Sequence, residues 1–536
     1  MRLGELLVGW KLASPAEIDE GLRRQAAVGG RLGENLLALR ILTAEQLAAV
    51  INATPPIPST VAETGILPRN LLNLLLKLMY IESLSTIPEL AERMKLPHMI
   101  IKALLDDAIQ QRYVQAMGTA PGDRAARSIR YALGDHGKVA AKDALEQNLY
   151  LGPAPVSLAS YQEQIRRQRV SNETLDEATL RQGFSGLVVP DHYFEKLLPA
   201  INAGRTVLLF GPPGNGKTTL ASRIADLFRD MIYIPYAVDV GGQIIKVHDP
   251  ALHNPAISED DTAVLATGPF LVDRERFDER WAGCRRPVAV AGGELTMDML
   301  DLKHNPETRF YDAPLHIKAL NGMFLIDDFG RQKFHPSELL NRWIVPMENQ
   351  VDYLKLNSGT SFALPFDELV IFSTNLNPTD LMDQAFLRRI PYKIKLFSPT
   401  RDEYWEIFEA IANAYGLVLT EPVFDLVVDC LEKRFGLAYY QPKFICQQVV
   451  EACRSFGRPV VLTRKAALAA LSNLYYDIED ERGAGPPAEV DQLLAVDGTV
   501  GHISRETHAG SPGNGGLALV DSLPSPLQQA TDQATP

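Results

Sequence analysis

Nine consecutive residues, Gly211-Pro212-Pro213-Gly214-Asn215-Gly216-Lys217-Thr218-Thr219, have the types and spacing to hold a polyphosphate. They fit the pattern Gly, four residues, Gly-Lys-Thr. Glycines let a tight turn bring several backbone N–H groups onto one anion. The first turn of a following helix adds its own unpaired N–H groups. In that arrangement the Lys217 ammonium reaches the β- and γ-phosphates of ATP, and the Thr218 hydroxyl sits on Mg²⁺. The flanks argue against a chance glycine-rich turn. Thr206-Val-Leu-Leu-Phe210 is a β-branched and apolar run suited to a buried parallel strand. Residues 220–228 space their apolar side chains like a helix.

Three more stretches carry complementary chemistry. Gly322-Met-Phe-Leu-Ile-Asp-Asp-Phe-Gly-Arg331 is an apolar strand ending in two carboxylates. Asp327 is placed to hold Mg²⁺ through water, and Asp328 to orient or deprotonate the attacking water. Leu369-Val-Ile-Phe-Ser-Thr-Asn375 is a second buried run, and Asn375 at its end can hydrogen-bond that water or the γ-phosphate. The alternative for Asn375 is a strand-end turn residue. Asp383–Ile390 brings Arg388 and Arg389 side by side on a helix. Adjacent helical positions point in different directions, so one arginine is free to neutralise transition-state charge and the other is structural. Arg389 is the favoured finger and Arg388 the alternative.

In this order the four elements resemble AAA+ ATPases, over residues 180 to 480. The resemblance implies ATP hydrolysis with Mg²⁺, a doubly wound parallel α/β P-loop core over 181–398, and an α-helical lid over 399–480. It also implies a homo-oligomeric ring, hexameric by expectation, whose arginines complete a neighbour's site and whose client is a protein. Lys443 stands where the family carries its second sensor, normally Arg. Asp328 stands where Glu is usual and is one methylene shorter. These two departures keep open a nucleotide-gated scaffold with poor turnover. Phe184–Pro190 is placed to pack on the adenine. Val351–Pro365 alternates like a hairpin just before Asn375, similar to the insertion of MoxR-like and enhancer-binding members. Such hairpins often line a pore; a plain surface hairpin fits the same residues.

Ahead of this core the chain repeats itself. Arg2-Leu3-Gly4-Glu5 recurs as Arg31-Leu32-Gly33-Glu34, an offset of 29. At the same offset the capping box of Ser14 and Glu17 is matched by Thr43 and Gln46, and Ile18 and Leu22 by Leu47 and Ile51. Two copies of a helix-pair unit follow, a small all-α module over residues 1–55. These residues resemble the N-terminal domain of type II secretion and type IV pilus assembly ATPases, which binds cyclic di-GMP in some members. The resemblance implies a link to secretion, pilus or envelope function, and ligand contacts from Arg2, Leu3, Gly4, Arg31, Leu32 and Gly33, with Gln25 closing the first copy. Lys11 and Arg40 replace an expected glycine, and Thr54 replaces the second Gln. Ligand binding and a docking module without ligand stand as equal alternatives.

Residues 66–150 read as three helices and a hairpin, a winged-helix-like α+β module. The third helix carries Lys102 but also Asp106 and Asp107, which would face phosphates unfavourably. The hairpin offers Arg124, Arg127 and Arg130. The charges favour protein docking over DNA reading, with an ATP-dependent transcriptional regulator as the alternative function. Residues 151–180 read as a linker, and 481–536 as a disordered tail rich in Gly, Pro, Ser and Gln.

Composition narrows the classes. The 536 residues suit about three to four domains. A balance of 53 basic against 66 acidic residues gives a net charge of −13, which provides no general field for nucleic acid or anionic membrane. No apolar run is long enough for a membrane span, and the N-terminus lacks signal-peptide features, so a cytoplasmic location is expected. Cys284, Cys430, Cys446 and Cys453 form no C-x-x-C pair and read as buried thiols in a reducing compartment.

Overall fold

The computed structural model describes residues 3–10, 12–29, 32–119, 129–187, 189–228, 230–256, 277–433 and 435–475. Residues Met1–Leu471 form one compact unit; of a second, Ser472–Pro536, residues 472–475 are described. The tail from 481 onward lies outside the described residues, as do Arg2, Lys11, Arg31, Arg124 and Arg127.

The N-terminal repeat folds as four helices, α1 (Leu3–Gly9), α2 (Pro15–Val28), α3 (Leu32–Ala38) and α4 (Ala44–Ala53). Both capping boxes form. Ser14 N donates to Glu17 Oε2 at 2.7 Å, and Thr43 N to Gln46 Oε1 at 2.8 Å. The repeated glycines have a packing reason. A Cβ on Gly4 would fall 2.7 Å from Ile18 Cγ2, and one on Gly33 would fall 2.9 Å from Leu47 Cδ2. The two contacts are related by the repeat offset, so each glycine lets the first helix of a pair approach the second. Arg40, at a position where glycine was expected, sits at φ +59°, the left-handed region that glycine adopts with least strain.

The second module comprises α5 (Pro68–Ile81), α6 (Ile87–Met94), α7 (His98–Gln110), an antiparallel pair β1 (Val114–Thr119) and β2 (Ile129–Leu133), and α8 (Asp135–Gln147). The leucine-rich face of α5 is buried at its centre. On α7, Lys102 and Asp106 are exposed while Ile101, Leu104 and Leu105 are buried. Lys77 is buried too; its ammonium donates to the Asn148 carbonyl and Oδ1, and burial pushes its pKa down to about 8.

The stretch expected as a linker is structured. It contributes β3 (Val156–Ser157), α9 (Leu158–Arg167) and α10 (Glu177–Gly183), and buries Tyr161 and Ile165. After α11 (Asp191–Asn202) come β4 (Val207–Phe210) and α12 (Lys217–Ala225), which frame the phosphate loop. The long gap before Asp327 holds an antiparallel pair, β5 (Met231–Pro235) with β8 (Trp281–Arg285), and an accessory sheet. That sheet takes β6 (Ala237–Val240), β7 (Gln243–Lys246), β10 (Lys303–Asn305) and β11 (Phe310–Asp312) in the order β10-β11-β7-β6-β3. Between its segments runs β9 (Val288–Ala291), and α13 (Leu315–Lys318) follows it.

The core sheet adds β12 (Met323–Ile326), β15 (Leu369–Thr374) and β16 (Tyr392–Lys395) in the order β16-β4-β15-β12-β9, every pairing parallel. Its three central strands, β4, β12 and β15, are apolar on both sides because helices cover both faces. Val207, Leu209, Leu325 and Ile371 face the core formed with α11 and α12. The alternate residues Leu208, Phe324, Ile326 and Phe372 face α14 (Pro336–Arg342) and α15 (Ile344–Asn349). The predicted hairpin forms as β13 (Val351–Lys355) and β14 (Ser361–Pro365). It is packed down: Leu354, Leu356, Phe362 and Leu364 share a core with accessory-sheet residues, and Asn357 N donates to the Tyr311 hydroxyl. After β15 come α16 (Pro378–Leu381) and α17 (Gln384–Arg389). Four helices close the described chain: α18 (Arg401–Ala414), α19 (Glu421–Glu432), α20 (Gln441–Ser455) and α21 (Arg464–Leu474).

Candidate nucleotide site

The carboxyl ends of β4, β12 and β15 meet beside one cavity of about 720 Å³. Strand ends of this kind are where open parallel sheets present their ligand residues. β4 leads into Gly211, whose φ of +146° and tight fit demand glycine: a Cβ there would lie 2.1 Å from the Leu396 carbonyl oxygen. Gly214 and Gly216 also take positive φ, +77° and +74°. The loop then enters α12. Its first intrahelical bond is Leu220 N to Gly216 O, which leaves the N–H groups of Lys217, Thr218 and Thr219 without helical acceptors. All three residues line the cavity.

Side chains from α12 and from the ends of β12 and β15 are already bonded to each other. Thr218 Oγ1 donates to Asp327 Oδ2 at 2.8 Å, and Asn375 Nδ2 donates to Asp328 Oδ1 at 3.0 Å. Asp328 holds a left-handed backbone, φ +49°, a costly state for a non-glycine residue that turns its carboxylate toward β15. Lys217 Nζ donates to the Gly211 and Pro212 carbonyls at 3.0 and 2.8 Å. Burial pushes its pKa down, and the carboxylates of Asp327 and Asp328 oppose that. Thr218, Asp327, Asp328 and Asn375 thus face the same space as Lys217.

The far wall belongs to other elements. Gly186, Leu187 and Val189, from the stretch expected to pack on adenine, line the cavity; Val188 lies outside the described residues. Lys443 lines it from the first turn of α20. Unforeseen members are Tyr193, Phe397, Ile407, Ile411, Tyr439 and Tyr440. Tyr404, Ile407 and Ile411 recur at helical spacing along α18, but that spacing does not tell that part of the face looks onto a ligand space. Tyr440 lies against the loop itself, its Cδ1 only 2.3 Å from where a Gly214 Cβ would be.

The arginines stand outside this cavity. Arg389 Nε donates to Glu348 Oε1 at 2.6 Å, Nη1 donates to the Ala385 carbonyl, and the guanidinium lies over the Phe386 ring. Arg388 is exposed. Among the cyclic di-GMP candidates, Leu3 and Leu32 belong to the hydrophobic packing, Gly4 and Gly33 are helix contacts, and Gln25 is half-buried.

The donor set fits a nucleotide and its metal. A hydroxyl and a carboxylate oxygen 2.8 Å apart are the hard ligands Mg²⁺ takes. The buried Asn215 side chain leaves both polar atoms without a hydrogen-bond partner among the described residues, beside a loop built for a polar ligand. Cys284 and Cys446 are buried with thiols pushed up to about 12, and among the described residues no cluster of three His, Cys, Asp or Glu stands ready for a metal. Among the described residues no helix is long and apolar enough to cross a membrane.

A family model described as a domain of unknown function, DUF8689, matches residues 400–473, the four helices α18–α21. Comparison with curated protein sequences gave no match. Among solved structures, the chain is similar to NtrX from Brucella abortus, with 14% identity over 64% of this chain and 72% of that one at a TM-score of 0.34. It is also similar to the Thermotoga maritima RuvB Holliday junction branch migration motor, with 17% identity over 60% and 73% at a TM-score of 0.28. Likenesses of this size carry no weight for function; the site's own geometry does.

Proposed function

We propose that this chain is an ATP-hydrolysing AAA+ motor that works as a homo-oligomeric ring on a protein client. The observation that carries this reading is the convergence of two bonded pairs, Thr218 with Asp327 and Asn375 with Asp328, on the cavity that Lys217 and the loop N–H groups also line. ATP is the substrate. The loop N–H groups and Lys217 bind its phosphates, and the apolar wall of Leu187, Val189, Tyr193 and Ile411 takes the base. Thr218 and Asp327 would hold Mg²⁺, which when bound neutralises charge on the phosphates. Asp328, held by Asn375, accepts a proton from the attacking water or orients it. Lys443 brings a cation from the lid.

The arginine finger of this reading is Arg388. An arginine that serves a neighbour must be free to leave its own subunit's surface, and Arg389 is bound to Glu348 and Ala385. The N-terminal modules dock the motor to its partner. The exposed Asp106 beside Lys102 supports a protein partner over DNA. Packing against Ile18 and Leu47 is reason enough for Gly4 and Gly33, so cyclic di-GMP is not part of this reading.

Phosphate release by the full chain tests the proposal. Lys217→Ala abolishes turnover, and Asp328→Asn abolishes turnover while leaving nucleotide binding in place. Unchanged turnover in either variant sinks it.

A further inference from the structure

Three neighbouring strands of the core sheet start from one buried polar cluster. Arg286 and Pro287 lead into β9, Asn321 and Gly322 into β12, and Asp367 and Glu368 into β15. The opposite ends of β12 and β15 carry Asp327, Asp328 and Asn375. At the start, the leading residues are bonded to one another. Asn321 Nδ2 donates to Asp367 Oδ2 at 2.6 Å, Asn321 N to the Asp367 carbonyl at 2.6 Å, and Arg286 Nη1 to the Asn321 carbonyl at 2.6 Å.

The same cluster is bonded to the segment that arrives from the N-terminal modules. Gln168 Nε2 donates to Asn321 Oδ1 at 2.9 Å and to the Tyr233 carbonyl at 3.0 Å, while its Oε1 accepts from Tyr233 N at 2.9 Å. Gln164 Nε2 donates to that Gln168 Oε1 at 3.0 Å and to the carbonyl of Ala53, the last residue of α4, at 2.6 Å. Val170 N donates to Asp367 Oδ2 at 3.1 Å. Gln164, Gln168 and Asn321 are 3%, 4% and 1% exposed, so these amides have no water to fall back on. Buried amides left unpaired are costly, and a satisfied network holds one arrangement. From Asn321 to Asp327 is six residues of nearly extended chain, about 20 Å. A shift at the cluster is carried along a strand paired on both sides.

We propose that Gln164 and Gln168 are positioning residues: through them the N-terminal helical module fixes the starts of β12 and β15, and so the placement of Asp328 and Asn375 at their far ends. The N-terminal module thereby sets the rate of hydrolysis without touching the nucleotide. This rests on the hydrolysis reading above.

The test uses the full chain with Gln164→Met, which keeps side-chain volume but removes both donated bonds, and Thr54→Val, a milder cut across the same seam where Thr54 Oγ1 lies 3.3 Å from the Tyr233 hydroxyl. Phosphate release gives kcat and KM, and a fluorescent ADP analogue gives nucleotide affinity. The expected result is a fall in kcat of at least threefold in Gln164→Met and a smaller fall in Thr54→Val, with KM and ADP affinity within twofold of wild type. If wild type turns over and Gln164→Met keeps its kcat, the coupling is overturned. A fall in kcat matched by weaker ADP binding also overturns it, since that marks general loosening. If wild type binds the ADP analogue but releases no phosphate, the hydrolysis reading has failed and takes this one with it.

Discussion

The Tyr440 ring rests on Gly214: a Cβ placed there would stand 2.3 Å from the ring's Cδ1 and 2.5 Å from its Cε1. One residue caps the start of α20, and the other is in the glycine-rich loop after β4. The start of α20 therefore touches the loop directly, in addition to sharing the cavity wall, and a residue larger than glycine at 214 must disturb both.

Gly214→Ala should weaken nucleotide binding at least tenfold, for two separable reasons. The backbone there has φ +77°, which costs an L-residue about 1–2 kcal/mol. The new methyl also meets the Tyr440 ring. Adding Tyr440→Ala removes the second reason alone, so the double variant should regain part of the loss. Titration with a fluorescent ADP analogue measures both; full recovery in the double variant would refute the backbone contribution.

Arg388→Ala should lower turnover by about three orders of magnitude or more, in the range arginine fingers contribute, with nucleotide affinity intact. Arg389→Ala should act on folding instead, because it breaks a partly exposed pair with Glu348. Pairs of that kind are worth about 1 kcal/mol or less, so a melting-temperature drop of a few degrees and near-normal turnover are expected. Mixing Arg388→Ala subunits with Lys217→Ala subunits should restore activity if the arginine serves a neighbour; no restoration at any ratio counts against the ring.

What could be read from the residues was local. The phosphate loop, the paired aspartates after β12, Asn375 after β15 and the two capping boxes each lie within a few consecutive residues; both boxes form, and the other residues line one cavity. The accessory sheet was invisible because its strands are two to four residues long and come from positions 156, 237–246 and 303–312. Runs so short carry no period, and the pairing of Val156 with Val238 bridges 82 residues that propensity cannot link. Glycine at 4 and 33 was visible as a repeat, but its reason, a close helix crossing, appears only when Ile18 and Leu47 are in place.

That crossing is open to test. Gly4→Ala should destabilise the N-terminal helices by about 1–3 kcal/mol, the usual cost of overpacking, because Ile18 is β-branched and its Cγ2 has few rotamers to escape into. Ile18 is itself part of the core, so Ile18→Ala is costly alone; measured against that variant, adding Gly4→Ala should cost little, because the methyl then has room. Hydrogen exchange of α1 and α2 reads the effect; if Gly4→Ala leaves exchange unchanged, the glycine is not there for packing.

A pH effect should centre on Asp230. Its carboxyl is pushed up to about 6, chiefly by burial and then by the neighbouring Glu173, with Arg286 opposing. An unfolded aspartate titrates at about 3.9. Between about pH 4 and 6 the folded chain therefore keeps a proton that the unfolded chain has released, so stability from this group falls as pH rises through that window and is flat above it. Asp230→Asn removes the titration. Its melting temperature minus that of wild type should rise from pH 4 to 6 and then hold level to pH 8. The substitution also removes the ion pair between Asp230 and Arg286, 3.4 Å long. That pair exists only where Asp230 is charged, so its removal lowers the difference at high pH and cannot itself produce a rise across the window. A difference that is constant or falling between pH 4 and 6 would mean the group is ionised throughout and the burial argument is wrong.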